Sequence, residues 1–177
     1  MNSNPKLVYF IGMPGSGKSY FAEKLSVNIT SHFIDLDKTI EERTGFKVAK
    51  LFEDRGELFF RKLESSILRE LIKYGKAIVA TGGGTPCFYN NIQWMKATGK
   101  TIWLNPSIDQ LIQNLAGLVE QRPLLKNIPQ NQLYQELHQI YESRLPFYKL
   151  AKYHVTGNEI NLENIINIYK KTELSSV

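Results

Sequence analysis

Cysteine is nearly absent from this chain. Cys87 is the only one in 177 residues, which excludes an internal disulfide framework and suits a reducing compartment. Histidine is scarce too: His32, His138 and His154 are scattered without the spacing of metal ligands. No stretch of about 18 apolar residues is present to span a bilayer. The N-terminal MNSNPK leads only into LVYFI, which is neither a secretory signal nor a transit peptide. There is also no Lys/Arg block and no basic stripe interleaved with aromatics, so a net charge of +5 does not point to nucleic acid. Its basic residues are dispersed among acids, which favours a solvated surface and a small anionic ligand over a polyanion. A cytoplasmic protein is expected, with neither a membrane nor a nucleic acid as partner.

What is there is a regular alternation. Short apolar runs, LVYFI, HFIDLD, AIVATGGGT, KTIWLN and YHVTG, read as strands. Longer amphipathic stretches between them read as helices: SYFAEKLSVNI, a long segment from Lys38 to Gly75 broken near Gly45 and Gly56, SIDQLIQNLAGL, QLYQELHQIYESRLPFYKLA and LENIINIYKKTEL. Five β segments separated by helical ones predict an α/β fold, a five-stranded parallel sheet flanked by helices on both faces. The length suits a single domain over 1–177. The irregular VEQRPLLKNIPQN, residues 119–131, has the look of a flap rather than a linker.

GMPGSGKS, Gly12 to Ser19, matches the phosphate-binding pattern G-x-x-x-x-G-K-[ST] between an apolar strand and a helix. Backbone without Cβ atoms can curl its N–H groups closely round a polyphosphate, and the helix that follows adds its positive end. Lys18 is placed to reach the β- and γ-phosphates, and the Ser19 hydroxyl to ligate Mg²⁺. A nucleoside triphosphate site follows, but the acceptor of the phosphoryl group does not.

The acceptor has to be sought downstream. In IDLD, Asp35 and Asp37 stand two apart at the end of the second strand and are expected on one face, at the crevice where strands of an open parallel sheet end. Asp35 would hold Mg²⁺ through water, and Asp37 would orient or deprotonate an alcohol. The plain alternative is an acidic N-cap for a helix beginning near Thr39. In ATGGGT, the glycines 82–84 allow a ligand to approach the backbone closely. Arg61 in ELFFRKLE is expected to be partly buried, Arg122 sits in the flap, and Arg144 in ESRLPFY. Each taken singly is more often a surface charge; together they would form a carboxylate clamp and a lid charge.

Taken in order, GMPGSGKS, IDLD, IEERTG with FRKLE, ATGGGT, RPLL and ESRLPFY resemble the shikimate kinase family over Gly12 to Tyr148. The resemblance implies a fold similar to nucleoside monophosphate kinases, with a substrate-binding helical insert at about 35–63 and a lid at about 115–131. It implies transfer of the ATP γ-phosphoryl to the 3-hydroxyl of shikimate with Mg²⁺, in aromatic amino acid biosynthesis. By motif, Asp37, Arg61, Gly83 and Arg144 would bind shikimate. Gly15, Ser16, Gly17, Lys18, Ser19, Tyr20 and Arg122 would bind nucleotide, with Lys18, Asp37 and Arg122 catalytic. Ser19 and, through water, Asp35 would hold the metal.

The chain departs from the family pattern in two ways. Asn114 and Leu115 stand where an arginine often stacks on adenine, and Tyr20 replaces the usual threonine after Ser19. A monomer is expected. The competing readings are another small-molecule kinase, such as a gluconate kinase, and a non-catalytic ATP-binding regulatory module.

Overall fold

β1 (Lys6–Ile11) is the strand around which the molecule is built. Leu7, Tyr9 and Ile11 face one side of the sheet, Val8 and Phe10 the other, and all are buried. Both faces of a central parallel strand are covered by helices, so its sequence is apolar throughout rather than alternating. The protein's computed structural model describes residues 6–116, 128–129 and 131–174, of which 6 and 172–174 as backbone only.

β2 (His32–Asp35), β3 (Lys76–Ala80), β4 (Gly99–Asn105) and β5 (Tyr153–Thr156) complete a five-stranded sheet of order β2-β3-β1-β4-β5, every pairing parallel. The helices are α1 (Lys18–Asn28), α2 (Leu36–Thr44), α3 (Val48–Glu70), α4 (Asn91–Thr98), α5 (Ile108–Leu115), α6 (Leu133–Tyr148) and α7 (Leu162–Leu174). One face of β1 packs with Phe60, Ile67 and Leu68 of α3, Met95 of α4 and Leu137 and Tyr148 of α6. The other packs with Ala22 and Leu25 of α1 and Ile165 and Tyr169 of α7. Each such large apolar side chain contributes about 1.5–3 kcal/mol by leaving water.

The registers Asp35↔Ala80 and Phe10↔Ala80 bring the carboxyl ends of β2, β3 and β1 level. β1 has β3 and then β2 on one side and β4 and then β5 on the other, and the segments that follow β1, β2 and β3 open at the same carboxyl edge, where ligands bind in open α/β sheets. Thr81 reinforces that edge, its backbone N–H and its hydroxyl both donating to the Phe10 carbonyl, at 3.2 and 2.9 Å.

The helical segment after β2 divides as its glycines require. Gly45 ends α2 with a left-handed φ of 72°. Gly56, at φ 79° and ψ 166°, kinks α3 rather than ending it. α4 was not among the helices expected from sequence. It is only eight residues long, and its buried Ile92, Met95 and Thr98 make too short an apolar pattern to stand out.

Candidate active site

The phosphate loop closes on itself before any ligand is considered. The Ser16 N–H donates to the Met13 carbonyl at 3.2 Å. Lys18 folds back over the loop, its Nζ donating to the Met13 carbonyl at 2.7 Å. Gly17, with φ 88°, is the N-cap of α1 and carries no side chain that would cover the helix end. A Cβ at Gly15 would lie 2.9 Å from Leu115 Cγ.

α5 also supports this loop through Asn114, whose Nδ2 donates to the Gly15 carbonyl at 2.8 Å. Asn114 and Leu115 therefore both brace the phosphate loop.

Gly15, Gly17, Lys18, Ser19 and Tyr20 line one cleft of about 880 Å³ together with Asp35, Asp37, Arg61, Gly83 and Arg144. Ser16 is buried behind the loop, its Oγ 3.5 Å from Lys18 Nζ. Arg122 and most of the expected lid lie outside the described residues.

The two aspartates divide differently from the expectation. β2 ends at Asp35, and Asp37 already belongs to the first turn of α2, so they do not share a strand face. Asp35 is the N-cap: its Oδ1 accepts from the Lys38 N–H at 3.2 Å. The helix thus begins at Leu36 rather than near Thr39. The same carboxylate accepts from the Ser19 hydroxyl at 2.8 Å through Oδ2, so capping and service in the cleft are combined in one residue. Asp37 Oδ1 lies 3.1 Å from the place a Cβ on Gly82 would occupy, facing the glycine turn.

Arg61 is more deeply buried than its sequence setting suggested, at 3% exposure. Its Nη1 donates to Glu64 Oε2 at 2.9 Å and its Nε to Glu57 Oε1 at 3.1 Å. The rings of Phe52, Phe60 and Phe88 surround the guanidinium at 4.8–5.4 Å, a setting that favours a weakly hydrated cation. The glycine turn makes room for it: a Cβ at Gly84 would collide with the Arg61 guanidinium.

Arg144, on α6, is buried as well, and its Nη1 has no hydrogen-bond partner among the described residues. A Cβ at Gly83 would lie 3.0 Å from that nitrogen. A buried, unpaired N–H costs about 1–3 kcal/mol, so the site is poised to accept an anionic oxygen.

Glu64 went unassigned in the sequence, although it sits within FRKLE. It is fully buried, accepts from Arg61 and, at 2.6 Å, from the Thr85 hydroxyl. Burial pushes its carboxyl above the usual range, while Arg61, Thr85 and Arg144 pull the other way. Its spacing of three from Arg61 on a helix was the available signal. Cys87 lies close enough to Arg61 and Arg144 to feel their charge, yet burial dominates and pushes the thiol up to about 11. Such a shift favours the thiol over the thiolate and argues against a nucleophilic role.

The cleft therefore offers a loop of backbone amides with a lysine at one end, and two buried guanidinium groups around a glycine turn at the other. A hydroxyl–carboxylate pair, Ser19 and Asp35, fits a hard cation that takes its remaining oxygens from phosphate and water. Such a site can align a polyphosphate with a small acid.

A profile of the shikimate kinase family matches residues 14–172. The shikimate kinase of Bacteroides thetaiotaomicron is 38% identical over 153 residues, 86% of this chain and 87% of that protein. A crystal structure of shikimate kinase from that organism superposes with a TM-score of 0.83 at 34% identity, covering 97% of this chain and 99% of that one. The enzyme from Acinetobacter baumannii, solved in complex with shikimate, gives a TM-score of 0.84 at 26% identity over 98% of this chain and 96% of that one. The family match, the identity and the superposition each extend along nearly the whole chain, and it belongs to the shikimate kinase family.

Proposed function

We propose that this chain transfers the γ-phosphoryl group of ATP to the 3-hydroxyl of shikimate, yielding shikimate 3-phosphate and ADP. One observation carries the choice of acceptor: Nη1 of Arg144, buried and without a hydrogen-bond partner among the described residues, in the cleft that also holds the phosphate loop. A carboxylate satisfies that nitrogen and the remaining donors of Arg61, whereas a neutral polyol would leave buried charge without a counter-ion.

Shikimate lies with its carboxylate between Arg61 and Arg144 and its ring against Gly83. Asp37 accepts a hydrogen bond from the reacting hydroxyl and orients it toward the γ-phosphorus. The new oxygen–phosphorus bond forms as the bond to the β–γ bridging oxygen breaks, and the hydroxyl proton passes to Asp37 or to the transferred group. The transition state is loose, so alignment and charge neutralisation matter more than the strength of the base. Gly15, Ser16, Gly17 and Tyr20 hold the nucleotide, and Lys18 stabilises charge on the β- and γ-phosphates. Mg²⁺, held by Ser19 and through water by Asp35, would supply further neutralisation of the phosphates.

Residues 35–63 act as the substrate-binding insert and 115–131 as a lid that carries Arg122 over the phosphates and excludes water. The chain is read as a monomer of the cytoplasm, which supplies ATP and keeps Cys87 reduced.

A coupled ADP-release assay with shikimate, gluconate or no acceptor tests the reading. Mg²⁺-dependent release with shikimate alone is expected. Equal release with gluconate or without acceptor would overturn it.

A further inference from the structure

From Arg61 and Glu64 in the cleft wall a seam of buried polar groups runs back beyond the glycine turn to Thr85, Ser65 and Asn91, which do not line the cleft. On α3, Arg61, Glu64, Ser65 and Arg69 recur at spacings of three and four and share one face. Opposite them passes the segment that leaves the glycine turn and opens α4. Thr85 and Asn91 in that segment are fully buried, and Ser65 nearly so.

The hydrogen bonds form a chain. Thr85 Oγ1 donates to Glu64 Oε1 at 2.6 Å. Asn91 Nδ2 donates to the Thr85 carbonyl at 2.9 Å. Asn91 Oδ1 accepts from Ser65 Oγ at 2.8 Å and from Arg69 Nη1 at 2.8 Å. Arg69 Nη1 also donates to the Ser65 carbonyl at 2.9 Å and to Ser65 Oγ, and its Nη2 to the Tyr89 carbonyl at 2.7 Å. That last bond holds a bend in which Tyr89 and Asn90 have left-handed φ values of 49° and 56°, a conformation that most L-residues resist.

Apolar side chains would fill this space without the cost of desolvating polar atoms. What the seam adds is direction, because hydrogen bonds fix angles that packing leaves free. A buried carboxylate has about four acceptor positions. The Thr85 hydroxyl takes one on Glu64 and thereby sets the rotamer in which Oε2 meets Arg61. The Thr85 backbone is fixed in turn by Asn91.

We infer that Thr85 and Asn91 are positioning residues for the acid site. They hold the Glu64 carboxylate so that Arg61 is aimed into the cleft, and acid affinity depends on side chains that do not touch the acid. The inference rests on the reading of Arg61 as a ligand for the substrate carboxylate.

The test is steady-state kinetics of Thr85→Val, which keeps the shape and removes the hydroxyl, beside Thr85→Ser, which keeps the hydroxyl. Thr85→Val is expected to raise the shikimate KM about tenfold while the ATP KM stays within about twofold. Thr85→Ser should restore the shikimate KM to near the wild-type value. Ser65→Ala, a milder change that takes one donor from Asn91, should raise it by a few-fold and serves should Thr85→Val fail to fold. Parallel increases in both KM values, or no recovery with Thr85→Ser, would reduce the seam to a purely structural role and overturn the inference. An unchanged shikimate KM in Thr85→Val, or in Ser65→Ala if that alone folds, would also overturn it. Arg61→Lys is measured alongside. If it leaves the shikimate KM unchanged, the clamp reading itself falls and takes the seam with it. If it raises that KM and the seam variants do not, only the seam is refuted.

Discussion

The Tyr148 hydroxyl donates a 2.6 Å hydrogen bond to the Gly83 carbonyl and so ties the helix that carries Arg144 to the glycine turn that faces it. The same oxygen lies 3.7 Å from Met13 Sδ in the phosphate loop, and the ring stacks at 5.8 Å on Trp103. Both halves of the cleft therefore share one fully buried phenol. Burial pushes that phenol far above its ordinary value, so it remains a donor at any pH at which the enzyme works.

Tyr148→Phe keeps the ring and leaves the Gly83 carbonyl without this partner. The expected loss is about 1–3 kcal/mol of stability in urea unfolding, with a several-fold increase in the shikimate KM. An unchanged unfolding midpoint would show that the bond adds nothing to stability.

Arg144→Ala removes a buried charged donor whose Nη1 has no hydrogen-bond partner among the described residues. The shikimate KM should rise about 10- to 100-fold, as expected for loss of a charge-assisted hydrogen bond, with the ATP KM nearly constant. Kinetics with each substrate varied in turn decides this, and an unmoved shikimate KM would exclude Arg144 from the clamp.

The two aspartates should separate in their effects. Asp37→Asn is expected to lower kcat by about 10²- to 10⁴-fold with the fold intact. Asp35→Ala removes the cap of α2 and should also cost about 1 kcal/mol of stability. Thermal melts alongside turnover distinguish them, and near-normal turnover of Asp37→Asn would end its assigned role.

Glu64 makes two opposite pH predictions. Its charged form holds Arg61, so the shikimate KM should rise as the pH falls through a carboxyl value lying above the ordinary ~4.3. Glu64→Gln should lack that limb. Folding, in contrast, favours the protonated carboxyl. The wild type should therefore lose stability relative to Glu64→Gln as the pH rises from the ordinary value through the raised one. Urea unfolding across that window measures the slope, and a slope of the opposite sign would show that Arg61 outweighs burial.

Features that were legible in the sequence depend on a few consecutive residues. β1 is apolar on both faces because it is central, and the phosphate loop needs its glycines for backbone conformation and close approach. Gly45 and Gly56 mark a helix end and a kink for the same local reason. α4 escaped notice because eight residues carry too little periodicity.

Spacing alone gives Asp35 and Asp37 the period of a strand, but the helix begins between them. A capping side chain decides such a boundary, and its partner, the Lys38 N–H, exists only once the helix has formed.

By itself, then, the sequence determined the order of strands and of the helices other than α4, the phosphate loop and the set of basic residues available for an acid, since all of these follow from short-range backbone and polarity preferences. Tertiary structure alone decided how those charges are completed. Glu64, three residues from Arg61 on the same helix, meets Thr85 across 21 positions of chain, while Arg144 Nη1 is buried with no hydrogen-bond partner among the described residues. Helical spacing offers Arg61 its carboxylate, but what closes over that pair, and what faces Arg144, depend on packing between distant segments that no local pattern encodes.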